Sequence, residues 1–180
     1  KYNNFRQWLF ILPPFFILAG FTLQKIRTLK HGAWLFFSVV VLCLLVGAGS
    51  SIDLHPYQYL YYNSLVGGVN GASGRFELDY WATALRQAML ELNELAPPNS
   101  RVVVWSASVD TAKQAARHDF LVEREQGGTY DLDTGYHFAI IQLGSTSDLE
   151  TPYPDAPIVV TVSKDGIPLA IVMDQSDLSE

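Results

Sequence analysis

The first 52 residues of this chain contain no aspartate and no glutamate. Five basic residues stand there unopposed, Lys1, Arg6, Lys25, Arg27 and Lys30, for a formal +5. All eighteen acidic residues lie from Asp53 onward beside seven basic ones, a formal −11, and the two parts make up the chain's −6. A division that sharp implies two environments. It also argues against nucleic acid as a partner, because the acidic aqueous part repels phosphates. Cysteine is nearly absent as well. Cys43 is the only one, so no disulfide can form within the chain, and cysteine usage reports no redox compartment. There is no internal repeat and no low-complexity tract. The chain starts at Lys1 rather than Met and carries no recognisable cleavable signal peptide, so it is expected to be part of something longer.

What is present, first, is a long apolar run. Ala33 to Gly49 reads AWLFFSVVVLCLLVGAG, and weaker residues extend it to about Ile52. Ten of these residues are Leu, Val or Phe and none is charged. On the membrane-insertion scale those ten favour a bilayer by about 3–6 kcal/mol. A helix of about 20 residues also matches a hydrocarbon core of roughly 30 Å. The alternative is a buried helix of a soluble protein. A second, weaker span is expected at Trp8–Leu23, WLFILPPFFILAGFTL, which at sixteen residues reaches only about 24 Å. Arg6 and Lys25 can snorkel at its ends, and Pro13 and Pro14 are expected to kink it and so to call for neighbouring helices. The connector QKIRTLKHG holds three basic residues and no acid, and no Lys or Arg follows until Arg75. The positive-inside rule then makes this loop cytoplasmic and turns both chain ends outward.

After the second span come His55-Pro56-Tyr57-Gln58-Tyr59-Leu60-Tyr61-Tyr62-Asn63, then Gly67-Gly68, Asn70-Gly71-Ala72, Gly74-Arg75-Phe76-Glu77 and Asp79-Tyr80-Trp81. Aromatic rings where a chain leaves hydrocarbon suit an interfacial belt. The glycine spacing is neither a Walker motif nor a dinucleotide fingerprint, and no strand precedes it, so a turned membrane-proximal loop is the simpler reading. Arg75, Glu77 and Asp79 form a dense charge cluster. Arg75 can meet a carrier or lipid phosphate, or close a local ion pair. Asp79 reads as a helix cap, and Trp81 as a core residue. His55 can touch a phosphate or donate a proton, or with Pro56 simply end a helix.

From Asp79 onward the periodicity is that of a soluble domain. A helix is expected from Asp79 to about Leu95, with Trp81, Leu85, Ala88, Leu92 and Leu95 on one face, ended by Ala96-Pro97-Pro98-Asn99. RVVVW at Arg101–Trp105 and HFAIIQL at His137–Leu143 read as buried strands. Between them a short helix is expected over Asp110–Arg117 and a strand near Phe120–Glu123, with a turn at Gly127-Gly128. Ile158–Ser163 and Leu169–Met173 flank Lys164-Asp165-Gly166, a hairpin signal. The expected architecture is two transmembrane helices (about 8–23 and 33–52), an aromatic, glycine-rich junction (53–78), and a small α/β domain (79–180) with a mixed sheet and a C-terminal hairpin. His118 and His137 have no partners at metal-ligand spacing. No Ser-His-Asp or Cys-His arrangement can be argued.

The pattern HPYxYxYYNxLxGGxxGAxGRFExDYW, from His55 to Trp81, resembles the segment after the last transmembrane helix of bacterial membrane glycosyltransferases in the superfamily related to dolichyl-phosphate-mannose protein mannosyltransferases. The likeness is close there and looser over the two helices before it and the α/β domain after it. It implies a multi-spanning enzyme of the bacterial inner membrane that transfers a sugar from a polyprenyl-phosphate carrier to an acceptor on the outer face. The partners implied are the lipid bilayer, the carrier and the remaining membrane helices of the parent. It also implies that His55, Tyr57, Tyr62, Asn63, Arg75, Glu77, Asp79 and Tyr80 line or brace the groove for carrier or acceptor. In that family the catalytic acids lie in the first external loop, and nothing here corresponds to it, since no acid precedes Asp53. The chain is therefore expected to carry no catalytic residue and no cofactor, and to be inert alone; a divalent metal in the parent stays open. The rival reading is a non-enzymatic membrane-anchored extracytoplasmic interaction domain. A sensor ranks behind both, for want of a cytoplasmic output domain.

Overall fold

The computed structural model describes residues 10–125, 137–144, 153 and 155–176. The chain divides after Asp53 into two compact units, Lys1–Asp53 and Leu54–Glu180.

The first unit is a pair of helices, α1 (Leu12–Arg27) and α2 (Gly32–Asp53). Helix α2 is long and apolar enough to cross a membrane, and no residue of its most apolar stretch is buried. Nine of its large apolar side chains, among them Trp34, Leu44, Leu45 and Ile52, are at least half exposed. Facing water, they would forfeit on the order of 10 kcal/mol of burial, as much as a whole domain's stability. Ser50 Oγ turns back to donate to Val46 O at 3.0 Å, which satisfies the hydroxyl within the helix.

Only this one of the two expected spans qualifies among the described residues. Helix α1 has sixteen residues, and Lys25 and Arg27 occupy its last turn. Its uncharged part, Leu12–Gln24, is about 20 Å long, well short of a hydrocarbon core. Nor do the prolines kink it. Pro13 and Pro14 fall in the first turn, where the missing N–H groups would have had no partner, so they start the helix instead of bending it. Trp8 lies outside the described residues. The turn into α2 is tight: a Cβ on Gly32 would stand 1.8 Å from Ile26 O, so only glycine fits.

The second unit is a five-stranded mixed sheet with helices on one face. The expected mixed sheet and C-terminal hairpin are both present. In chain order its elements are α3 (Gly68–Ala72), α4 (Thr83–Leu95), β1 (Arg101–Trp105), α5 (Val109–Ala115), β2 (Leu121–Arg124), β3 (Phe138–Gln142), β4 (Ile158–Lys164) and β5 (Ile167–Asp174). The spatial order is β2-β1-β3-β5-β4. β1 runs parallel to β2 and β3, with Val102 opposite Val122 and Phe138, and β5 runs antiparallel to β3 and β4. Asp165 and Gly166, with φ of 52° and 79°, form the hairpin turn that matches strand twist.

Side chains alternate across the sheet as a pleat requires. Val102, Val104, Val122, Phe138, Ile140, Val160, Val162, Ala170 and Val172 face the layer of α4 and α5. Val103, Ala139, Ile141, Ile171 and Met173 form a smaller core on the other face with Tyr153 and Ala156. The central strands are covered on both sides, which is why RVVVW and FAIIQ read as unbroken apolar runs. β4, at one edge, buries only Val160 and Val162 and carries two register irregularities.

Helix α4 ends at Leu95 as expected but departs from expectation at its start and in which residues it buries. It starts at Thr83, because Ala82 adopts a left-handed conformation (φ 55°) and breaks the helical path behind it. Trp81 therefore precedes the helix and is 50% exposed, where the sequence pointed to the core. Leu95 sits in the last turn and is also exposed. The buried stripe is Ala84, Leu85, Ala88, Met89 and Leu92. Beyond it, Arg117 stands where the α4 carbonyls lack partners. It donates to Asn93 O at 2.8 Å, Ala96 O at 3.2 Å and Pro97 O at 3.1 Å, grips Asp119 with two bonds, and lies 4.4 Å over the Phe120 ring. Gly127-Gly128 lies outside the described residues.

Candidate functional site

The segment after α2 is built into the domain. Leu54, Tyr57, Leu60, Val69, Ala72, Leu78 and Ala82 are buried in the same core as α4 and the sheet. A single turn of 3-10 helix at Gln58–Leu60 explains the pattern. Three residues per turn put Tyr57 and Leu60 on the inner side and leave Tyr59 and Tyr61 outside. Further on, Gly67 in the left-handed region precedes α3, and a Cβ on Gly71 would stand 1.9 Å from Val66 O. The glycines thus serve a tight turn, with the chain crossing closely over itself.

The eight residues singled out from the sequence take different roles. Tyr57 is buried and its hydroxyl donates to Gln87 Oε1. Burial, then the charges of Asp79 and Glu91, push its pKa up from 10.0 to about 12. Tyr62 is half-buried, donates to Glu77 O at 2.8 Å and stacks on Phe76 with centroids 5.5 Å apart. Burial first, and the Glu77 charge second, hold its phenol above the ordinary value. Asn63 Oδ1 accepts the Val66 N–H at 3.1 Å and closes a local turn. His55 Nδ1 lies 2.9 Å from Gln58 Nε2. Helix α2 has ended at Asp53, two residues earlier.

Among the described residues no ion pair joins Arg75 to Glu77 or Asp79. Arg75 and Glu77 are exposed. Asp79 is buried, and its carboxylate caps α4 from four residues ahead of the first helical one. Oδ1 accepts the Thr83 N–H at 2.7 Å and the Thr83 hydroxyl, and Oδ2 accepts the Ala84 N–H at 2.9 Å. Tyr80 and Trp81 follow, both about half exposed, with rings edge to face at 5.2 Å.

One connection was missed in the sequence. Gln142 Nε2 donates to Asp79 O at 2.7 Å, while Gln142 Oε1 accepts the Ser106 hydroxyl and Ser106 Oγ accepts the Ser108 N–H at 3.0 Å. Gln142 ends β3 and Ser106 follows β1, so the contact marks the carboxyl end of the two parallel strands. β2 lies on one side of β1 and β3 on the other, and in open α/β sheets ligands bind outside the carboxyl ends of such strands. A polar residue at the end of each apolar strand run was the available signal. The Asp79 carbonyl pins the Tyr80–Trp81 turn to this edge. Gln142 and Ser106 are occupied with one another and with the backbone, while Tyr80 and Trp81 present half-exposed rings next to the pinned Asp79 carbonyl. Among the described residues no three His, Cys, Asp or Glu side chains group so as to hold a metal.

No protein-family model, no curated protein and no solved structure matches the chain.

Proposed function

We propose that this chain is the C-terminal region of a membrane glycosyltransferase that moves a sugar from a polyprenyl-phosphate carrier to an acceptor on the external face of a bacterial inner membrane. The carrying observation is the His55–Trp81 pattern, whose residues divide between a buried set that builds the domain and an exposed set that includes His55, Asn63, Arg75, Glu77 and Tyr80. In this reading α1 and α2 pack against further helices of the parent, α2 spans the bilayer, and the domain lies outside the cytoplasm. Chemistry belongs to an acidic loop elsewhere in the parent. The domain braces the carrier or acceptor, with Arg75 placed to meet a phosphate and the Tyr80–Trp81 pair to stack on a sugar. Arg75→Ala and Tyr62→Ala in the full-length gene test it. Transfer rate or acceptor affinity should fall while the domain stays folded, and wild-type values for both would refute the bracing role.

A second reading, a membrane-anchored extracytoplasmic interaction domain without enzymatic activity, draws support from a domain that completes its own core from Leu54 onward. The upstream reading frame separates the two. Many further apolar spans and an external loop with Asp or Glu favour the enzyme.

A further inference from the structure

We infer that the acidic domain does not hang freely in water but rests on the bilayer surface through the uncharged, tyrosine-bearing stretch Leu54–Gly74. This rests on the reading of α2 as a membrane span. Twenty-one consecutive residues, Leu54 to Gly74, contain no Asp, Glu, Lys or Arg, in a unit that carries seventeen of the chain's eighteen acids. The fold does not use this run only to fill its core. It turns Tyr59 (72% exposed), Tyr61 and Leu65 (94% exposed) outward, and the first exposed charges after it, Arg75 and Glu77, flank Phe76. Scattered exposed apolar residues are ordinary, but here they gather in one stretch from which charge has been cleared.

The occupant follows from covalent continuity and from charge. Tyr59 follows the end of α2 at Asp53 by six positions, a reach of about 20 Å even when fully extended. Side chains so tethered to a membrane span lie within range of the headgroup layer, where tyrosine and tryptophan partition best. The unit's seventeen acids oppose approach to an anionic bilayer, so the stretch without charge is the part suited to meet it. The contact depends on apolar burial and should persist at high salt.

The test uses the full chain reconstituted into phosphatidylcholine vesicles, with nitroxide labels read by collision with oxygen (concentrated in lipid) and a nickel chelate (confined to water). Native Cys43, exposed on α2, reports on the span itself. Leu65→Cys and, as a control on exposed β4, Thr161→Cys are made in a Cys43→Ser background. Oxygen should dominate at positions 43 and 65, and the nickel chelate at 161. Replacing Tyr59 and Tyr61 with Ser should move position 65 toward the chelate. Oxygen at 43 with chelate at 65 overturns the docking and leaves the span reading intact. Chelate at 43 overturns the span reading and the docking with it. Protection of position 65 from both reagents means protein contact and also overturns the proposal.

Discussion

Replacing Asp79 with alanine should be among the most damaging single changes in the domain. The carboxylate accepts two backbone N–H groups and one hydroxyl at the start of α4, and it is buried, so water does not replace it. Losing an N-cap of this kind costs about 0.5–2 kcal/mol. A buried N–H left without an acceptor adds about 1–3 kcal/mol, and Ala84 supplies one. Position 79 also has φ of 46°, a left-handed conformation that alanine tolerates less well than Asp or Asn, at about 1 kcal/mol. These terms overlap, and together they set the loss at about 3–5 kcal/mol, a large part of a typical domain's 5–15 kcal/mol. Asp79→Asn keeps the backbone preference and one acceptor oxygen but turns an NH2 toward the Ala84 N–H, so about 1–3 kcal/mol is expected. Guanidinium unfolding of the chain in detergent, followed by far-UV circular dichroism, measures both through the midpoint at constant slope. Asparagine carries no charge, so Asp79→Asn should also lower the Tyr57 pKa from about 12. The reasoning fails if Asp79→Ala lies within about 0.5 kcal/mol of wild type, the range of an ordinary surface substitution.

Three further outcomes can be checked. Gly71→Ala drives a Cβ into Val66 O and should cost about 3 kcal/mol or more, or force the turn open, which faster proteolysis between Tyr62 and Gly74 would report. Arg117→Lys keeps the charge but loses the planar fork that serves the end of α4 and Asp119, and should cost about 2 kcal/mol in the same unfolding experiment. Asp119, held at about 2 chiefly by its Arg117 hydrogen bond, should move back toward 3.8 in that variant by carboxyl NMR. Its native contribution is present above about pH 4 and lost as pH falls toward 2, so the variant should show less acid sensitivity. At the alkaline end the sign reverses. Tyr57 is raised from 10.0 to about 12, so an unfolded chain releases that proton first, and the contribution, complete below pH 10, fades as pH rises through 12. Tyr57→Phe should flatten the stability profile between pH 10 and 12, and an unchanged slope there would count against the burial of the phenol.

Legibility in the sequence followed locality. RVVVW, HFAIIQL and the Asp165-Gly166 hairpin were readable because a handful of neighbouring residues decides each. The sheet order was not, because pairing β5 with β3 joins residues about thirty apart and depends on which faces remain uncovered. Trp81 was misread because size and hydrophobicity argue for burial, while its position was decided by one backbone angle at Ala82. Pro13 and Pro14 were misread for a similar reason: their effect depends on whether a helix starts before them or at them. Of the candidate site, Asp79 as a cap was visible from its residue type. The Ser106–Gln142 contact was not, since its members are 36 residues apart and meet only once β1 and β3 pair.

The burial of Leu54, Tyr57, Leu60, Val69, Ala72 and Leu78 bears on how the aqueous half can be handled in the laboratory. A soluble version trimmed at Asp79, where the sequence first turns globular, would discard a wall of its own interior and aggregate. One cut at Leu54 keeps the wall but carries the tacky outer surface of Tyr59, Tyr61 and Leu65 into the test tube, so it calls for mild detergent or serine at those three positions.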